Sequence, residues 1–148
     1  MTRFGSERMK NEMILIARVF LMALFVVSGW GKLMDYNGTV GYMTQVGAVM
    51  PSIAAVVAIV LEFFVAIVIV LGLYTRPLAI VLALYTLATA LIGHRYWSMA
   101  GPARADNLIH FYKNISIAGG LLLLYVTGAG RYSIDARPGF LGGFRFHS

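Results

Sequence analysis

Four stretches of this chain are too long and too apolar for a fold that ends in water. Residues 13–33, 51–74, 77–96 and 108–127 each approach the ~20 residues a helix needs to cross the hydrocarbon of a bilayer. Inside lipid every backbone amide must be satisfied within the protein, so only helices and closed barrels span it. A barrel demands alternating polarity along each strand, and the β-branched runs 56–60 and 65–70 do not alternate. The expected fold class is therefore all-α, a four-helix transmembrane bundle forming a single membrane domain over 1–148. Polar tails at 1–12 and 128–148 flank it. Pro51 and Pro77 stand where a first helical turn accepts proline. Gly72, Thr75 and Arg76 leave so short a turn that the second and third spans must form an antiparallel hairpin.

Charge and cysteine usage narrow the function classes. Charged residues make up 12% of the chain against about 25% in soluble domains. The net charge of +6 comes from cations placed singly at the ends of apolar runs. A nucleic-acid surface would gather them into a stripe with interleaved aromatics, so nucleic acid is excluded as a partner and lipid headgroups are expected instead. With no cysteine, disulfides, thiolate metal sites and CxxC redox chemistry are excluded, and electron transfer would need a borrowed cofactor. The first run follows Arg3, Arg8 and Lys10 as a secretory signal would. It is longer than a signal core and lacks a small-x-small cleavage site near Ser28 and Lys32, so it reads as a retained anchor.

Lysine and arginine outside the apolar cores set the orientation. Arg3, Arg8, Lys10, Arg76, Arg131, Arg137 and Arg145 fall on one side, and Lys32, Arg95, Arg104 and Lys113 on the other. Both termini are expected in the cytoplasm, with loops 34–50 and 97–107 outside. The first of these loops reads as partly helical. Trp30, Tyr36, Tyr42, Tyr96 and Trp97 match an outer aromatic belt.

Two ionisable residues fall inside the spans, where a charge costs at least ~2.5 kcal/mol at the helix centre. Arg18 is within snorkelling reach of the cytoplasmic headgroups. Glu62 lies about 16 Å from either end of its run at ~1.5 Å per residue. It has three fates: pairing with Arg18, facing a polar cavity, or staying protonated because burial raises a carboxyl pKa. Arg18, Phe25 and Lys32 recur at intervals of seven and share a helix face, and Gly29 and Gly31 permit close approach by a neighbour. Lys32, His94, His110 and Lys113 fall at similar depth near the outer ends, with Tyr36, Tyr96 and Tyr112 close in sequence. They form either a cationic, aromatic pocket for a quinone headgroup or a set of side chains that snorkel separately. His94 and His110 alone fill only part of a ligand set, which argues against haem or metal.

In order, Arg18, Phe25, Ser28, Gly29, Lys32, Glu62, the stretch 71–76 (LGLYTR), His94 and the stretch 128–135 (GAGRYSID) resemble the DoxX family over nearly the whole chain. The resemblance implies a small four-helix protein of the bacterial inner membrane, linked to quinone-coupled respiratory chemistry and often partnered by other proteins. By it, Arg18, Lys32, Glu62, Arg76, His94 and Asp135 are the motif positions. The favoured reading is a redox-associated membrane subunit that binds quinone or lipid in its bundle. Glu62, with Arg18, is the candidate for proton carriage or ion pairing, and Lys32, Phe25, His94, His110 and Lys113 are the candidate ligand contacts. The alternative is a non-catalytic accessory or assembly subunit. Membrane lipids and further membrane subunits, or copies of the same chain, are the expected partners.

Overall fold

The computed structural model describes residues 3–137, and among them it holds helices and no strand. Helix α1 covers Arg3–Met34, α2 Tyr36–Gln45, α3 Pro51–Leu71, α4 Thr75–Gly93 and α5 Gly101–Thr127. A 3-10 turn, Tyr96–Ser98, joins α4 to α5. Helices α1, α3, α4 and α5 are each long and apolar enough to cross a membrane, as the sequence predicts. Their ends depart from the apolar runs for local reasons. Helix α1 begins at Arg3 rather than at residue 13, and its polar first turns carry an Arg8–Glu12 ion pair one turn apart, 2.9 Å long. Helix α5 begins at Gly101 rather than 108, with Pro102 in its first turn. Helix α3 stops at Leu71 because Gly72 adopts a left-handed φ of 74°, a common helix terminator.

Helix α1 packs against α3 and α4 against α5, and fewer contacts join the two pairs. Met22, Ile69, Leu82 and Leu121, one from each spanning helix, are fully buried and make the core. Gly29 of α1 lies against the backbone of Glu62 and Phe63, which fixes the stagger of the first pair. Outward of that level α1 has five more residues and α3 eleven, so α3 overhangs by about 9 Å at ~1.5 Å per residue. Helix α2 fills the overhang. Its start is capped by the Asp35 carboxylate, which accepts from the Gly38 amide at 2.9 Å. The Tyr36 hydroxyl donates to the Ser52 carbonyl at 3.2 Å.

The opposite end is closed by the segment after α5. Ile134 and Asp135 amides donate to the carbonyls of Leu71 and Gly72 at 3.2 and 2.9 Å. The Asp135 carboxylate in turn accepts from the amides of Tyr74 and Thr75 at 2.8 and 3.0 Å, two of the donors a helix start leaves without partners. Arg18 reaches this strap from below the core. Its guanidinium is 2% exposed and donates to the carbonyls of Ala129 and Tyr132. A Cβ on Gly72 would lie 2.3 Å from Cβ of Ser133 and 2.8 Å from Nη1 of Arg18, so only glycine fits there. The stretches 71–76 and 128–135 are thus one structural unit with Arg18 as its clamp.

This corrects the pairing expected for Arg18. It neither snorkels to headgroups nor meets Glu62, because backbone carbonyls folded over its own end of the bundle satisfy it first. The glycine- and phenylalanine-rich end at 139–146, with Arg145, lies outside the described residues.

Removing the Asp135 carboxylate should cost about 0.5–2 kcal/mol, the range for loss of a helix cap. Asp135→Ala should therefore lower the thermal midpoint in detergent, with Asp135→Asn between it and the parent. Equal midpoints for all three would show that the strap does not hold the α3–α4 turn.

Candidate functional site

Glu62 does not sit on regular α-helix. Residues Val60–Val65 form a π-helical turn within α3, a widening of the helix that recurs at functional sites. The turn is possible beside α1 because Gly29 presents no side chain to it: a Cβ there would lie 2.5 Å from the Phe63 nitrogen. Three side chains converge on the carboxylate. Lys32 Nζ lies 2.6 Å from Oε2 and donates also to Ser28 Oγ at 2.6 Å. Helical side chains lean toward the N-terminus, which is how a lysine near the end of α1 reaches back one turn into the bundle. The Tyr85 hydroxyl of α4 donates to Oε1 at 2.5 Å. Both carboxylate oxygens are occupied. The Glu62 side chain is 9% exposed and that of Lys32 22%, so the pair has given up most of its hydration, at several kcal/mol per ion.

A cavity of about 330 Å³ opens above this trio, between the two helix pairs and beneath α2. Its walls are mostly apolar, with Leu24 and Phe25 from α1 and Val57 from α3. The polar exceptions are Ser28, Lys32, Glu62, Tyr42, Tyr85, Thr86, Thr89, His94, Lys113 and Asn114. Asn114 Nδ2 donates to Thr89 Oγ1 at 3.2 Å. At the α2 end of the bundle His94 Nδ1 lies 3.0 Å from Asn107 Oδ1, and its ring packs at a tilt of 35° against His110 with centroids 5.1 Å apart. His110 Nδ1 is 3.0 Å from Lys113 Nζ. The Tyr42 phenol of α2 is pushed above the ordinary tyrosine pKa, by burial first and then by the negative charge of Glu62.

Of the residues singled out in the sequence, Phe25, Lys32, Glu62, His94 and Lys113 meet at this cavity. His110 does not line it and touches it only through His94 and Lys113. Arg18 lies 14 residues from Lys32 along α1, about 21 Å at ~1.5 Å per residue, and is not part of the site. Arg76 is exposed beside Gly128, and Asp135 belongs to the strap. Tyr96 and Tyr112 pack with Trp97 and Phe111 in an aromatic cluster away from the cavity, and Tyr36 holds α2. Among the described residues no three His, Asp or Glu side chains gather as a metal set would require.

Tyr85 and Asn114 were missed by sequence reasoning. Their signal was position: amphipathic rings settle at interfaces, and a tyrosine eight residues into the run 77–96 is well below one.

The family model described as DoxX matches residues 13–95. The inner membrane protein YphA of Escherichia coli K12 is 51% identical over 134 residues, which cover 90% of this chain and 94% of the relative. The inner membrane protein YqjF of the same organism is 38% identical over 129 residues, covering 87% and 94%. No solved structure matches the chain.

The two glycines of α1 make opposite predictions. Gly29→Ala forces a methyl into the π-turn and should destabilise by about 1–3 kcal/mol, as overpacking does. Gly31, with nothing within 4 Å of its missing Cβ, should accept alanine without loss of stability. Thermal unfolding of the two variants side by side checks this, and equal midpoints would contradict the close approach of α1 to Glu62.

Proposed function

We propose that this chain, which belongs to the DoxX family, holds the polar headgroup of a membrane-borne amphiphile in the cavity beneath α2, with quinone as the class to test. One observation carries the reading: an ammonium, a carboxylate and a phenol from three helices converge at one end of a cavity whose walls are mostly apolar. Its volume of about 330 Å³ falls at the small end of the ~300–1,000 Å³ range of ligand pockets. An oxidised headgroup offers carbonyl oxygens, which accept from Lys32 or Tyr85. A reduced one offers hydroxyls, which donate to Glu62. A carboxylate within hydrogen-bond reach of such a group can act as its proton carrier, and His94 and Lys113 at the far end face the second oxygen. Electrons would come from a partner, since the chain has no cysteine to hold a cluster or form a dithiol.

The placement in a bacterial inner membrane rests on the two Escherichia coli relatives, which carry that location in their names. The orientation rests on the excess of Lys and Arg on the side of both termini. The second reading, an accessory subunit of a larger membrane complex, draws on the small size of the chain. It differs in outcome, because a purely structural subunit would bind no headgroup alone.

Titrating the purified protein in lipid nanodiscs with a short-tailed ubiquinone should give saturable binding. Lys32→Met, which removes a donor to the headgroup's carbonyl, should weaken it about tenfold, or ~1.4 kcal/mol. Saturable binding that is unchanged in Glu62→Gln, Lys32→Met and Tyr85→Phe removes the site from the proposal, and absence of binding removes the ligand class. For orientation, alkaline phosphatase fused after residue 137 should be inactive, and an active fusion reverses the assignment.

A further inference from the structure

The carboxylate in the middle of the bundle has very different surroundings above and below. Toward α2, the cavity runs past Tyr85, Thr89 and Asn114 to His94, which is only half-buried. Buried polar side chains and a space this large suit a few bridging waters, each of which needs two to four polar partners. Toward the strap the bundle interior is apolar as far as Thr75, whose buried hydroxyl has no hydrogen-bond partner. Met22, Ala66, Ile69, Ala79, Leu82 and Leu121 are all fully buried and offer no polar side chain between Glu62 and the other end. Beyond them stands the guanidinium of Arg18, itself sealed beneath the strap. A fixed cation in a narrow apolar passage is a barrier to protons, as in pores that exclude them.

We infer that Glu62 exchanges water and protons with one side of the membrane only, the side covered by α2, through the cavity and its His94 mouth. The charged and titratable groups that share the cavity with Glu62 come from every element packed around it. From α1 come Lys32 and Ser28, from α2 Tyr42, from α4 Tyr85, and from α5 Lys113; His94 follows α4, and α3 carries no second titratable side chain. When Glu62 takes a proton the carboxylate becomes a neutral acid and the Lys32 attraction is lost. The lysine keeps its bond to Ser28, which offsets part of that loss. The proton comes from bulk water on the α2 side and returns there. The inference rests on the position of the cavity and not on the ligand proposed for it, so it stands or falls separately from quinone binding.

The absence of native cysteine makes the test direct. Single-cysteine variants of the full chain are placed in liposomes and exposed from either face to a membrane-impermeant methanethiosulfonate reagent. Gln45→Cys marks the α2 face and Glu7→Cys the opposite one. Ala54→Cys and Thr89→Cys, on two different walls of the cavity, should be labelled from the α2 face and not from the other, and Leu82→Cys from neither. Infrared difference spectra with impermeant buffers supply the second readout. The protonated-carboxyl band that disappears in Glu62→Gln should follow the pH on the α2 side. Cavity cysteines that react from the opposite face, or from neither, overturn the inference. So does a reactive Leu82→Cys, a Glu62 band that follows the pH of the strap side, or the absence of any pH-dependent band assignable to Glu62.

Discussion

A charged pair held inside hydrocarbon must be answered on every side or it is not formed. Lys32 and Glu62 each lose hydration worth several kcal/mol, and their mutual attraction offsets this only when the geometry is good and the remaining lone pairs are satisfied. Here the second carboxylate oxygen is taken by Tyr85 and the lysine's second bond by Ser28. Those demands propagate through the fold. The carboxylate must face α1 and α4 together, and the π-turn of α3 carries it there. The π-turn must touch α1, and Gly29 is the residue that allows it. That contact fixes the stagger of α1 against α3, the stagger leaves an overhang, and α2 covers the overhang to make the cavity.

The two ends of the bundle settle their buried charges in different ways. Arg18 donates from Nη1 and Nη2 to the backbone carbonyls of Ala129 and Tyr132, which are neutral and fixed, and its buried Nε has no partner. It fastens the strap over the α3–α4 turn through those two bonds. Lys32 is satisfied by a carboxylate and a hydroxyl, both of which can change protonation or partner. The arginine end therefore holds the strap and the lysine end lines the cavity proposed as the site, although both cations lie on the same face of α1.

The spans were legible in the sequence because length and apolarity alone decide them, and Glu62 stood out because nothing else in α3 is charged. Its partner was not legible. Setting α1 and α3 level at the ends nearer the strap brings Arg18 nearest to Glu62, and the real stagger depends on a π-turn and on Gly29, neither of which leaves a periodic trace. The lean of Lys32 toward its own N-terminus, one turn deeper than its position suggests, completes the shift. The strap was hidden for another reason: its bonds join groups 60 or more residues apart, and most of those groups are backbone, so that only Gly72 and the Asp135 carboxylate record them in the sequence. Of the expected outer pocket, Lys32, His94 and Lys113 line the cavity and His110 does not, while Tyr96 and Tyr112 pack in an aromatic cluster and Tyr36 holds α2.

The ion pair at the centre of this account is tested most directly by a double-mutant cycle on stability, with Lys32→Met, Glu62→Gln and the two combined, unfolded in the same detergent. Breaking a buried pair from one side costs about 3–5 kcal/mol because the other charge is stranded, so the combined variant should be far more stable than the sum of the single losses implies. Effects that add to within about 0.5 kcal/mol, as they do for residues that do not touch, would contradict a Lys32–Glu62 pair in the bundle.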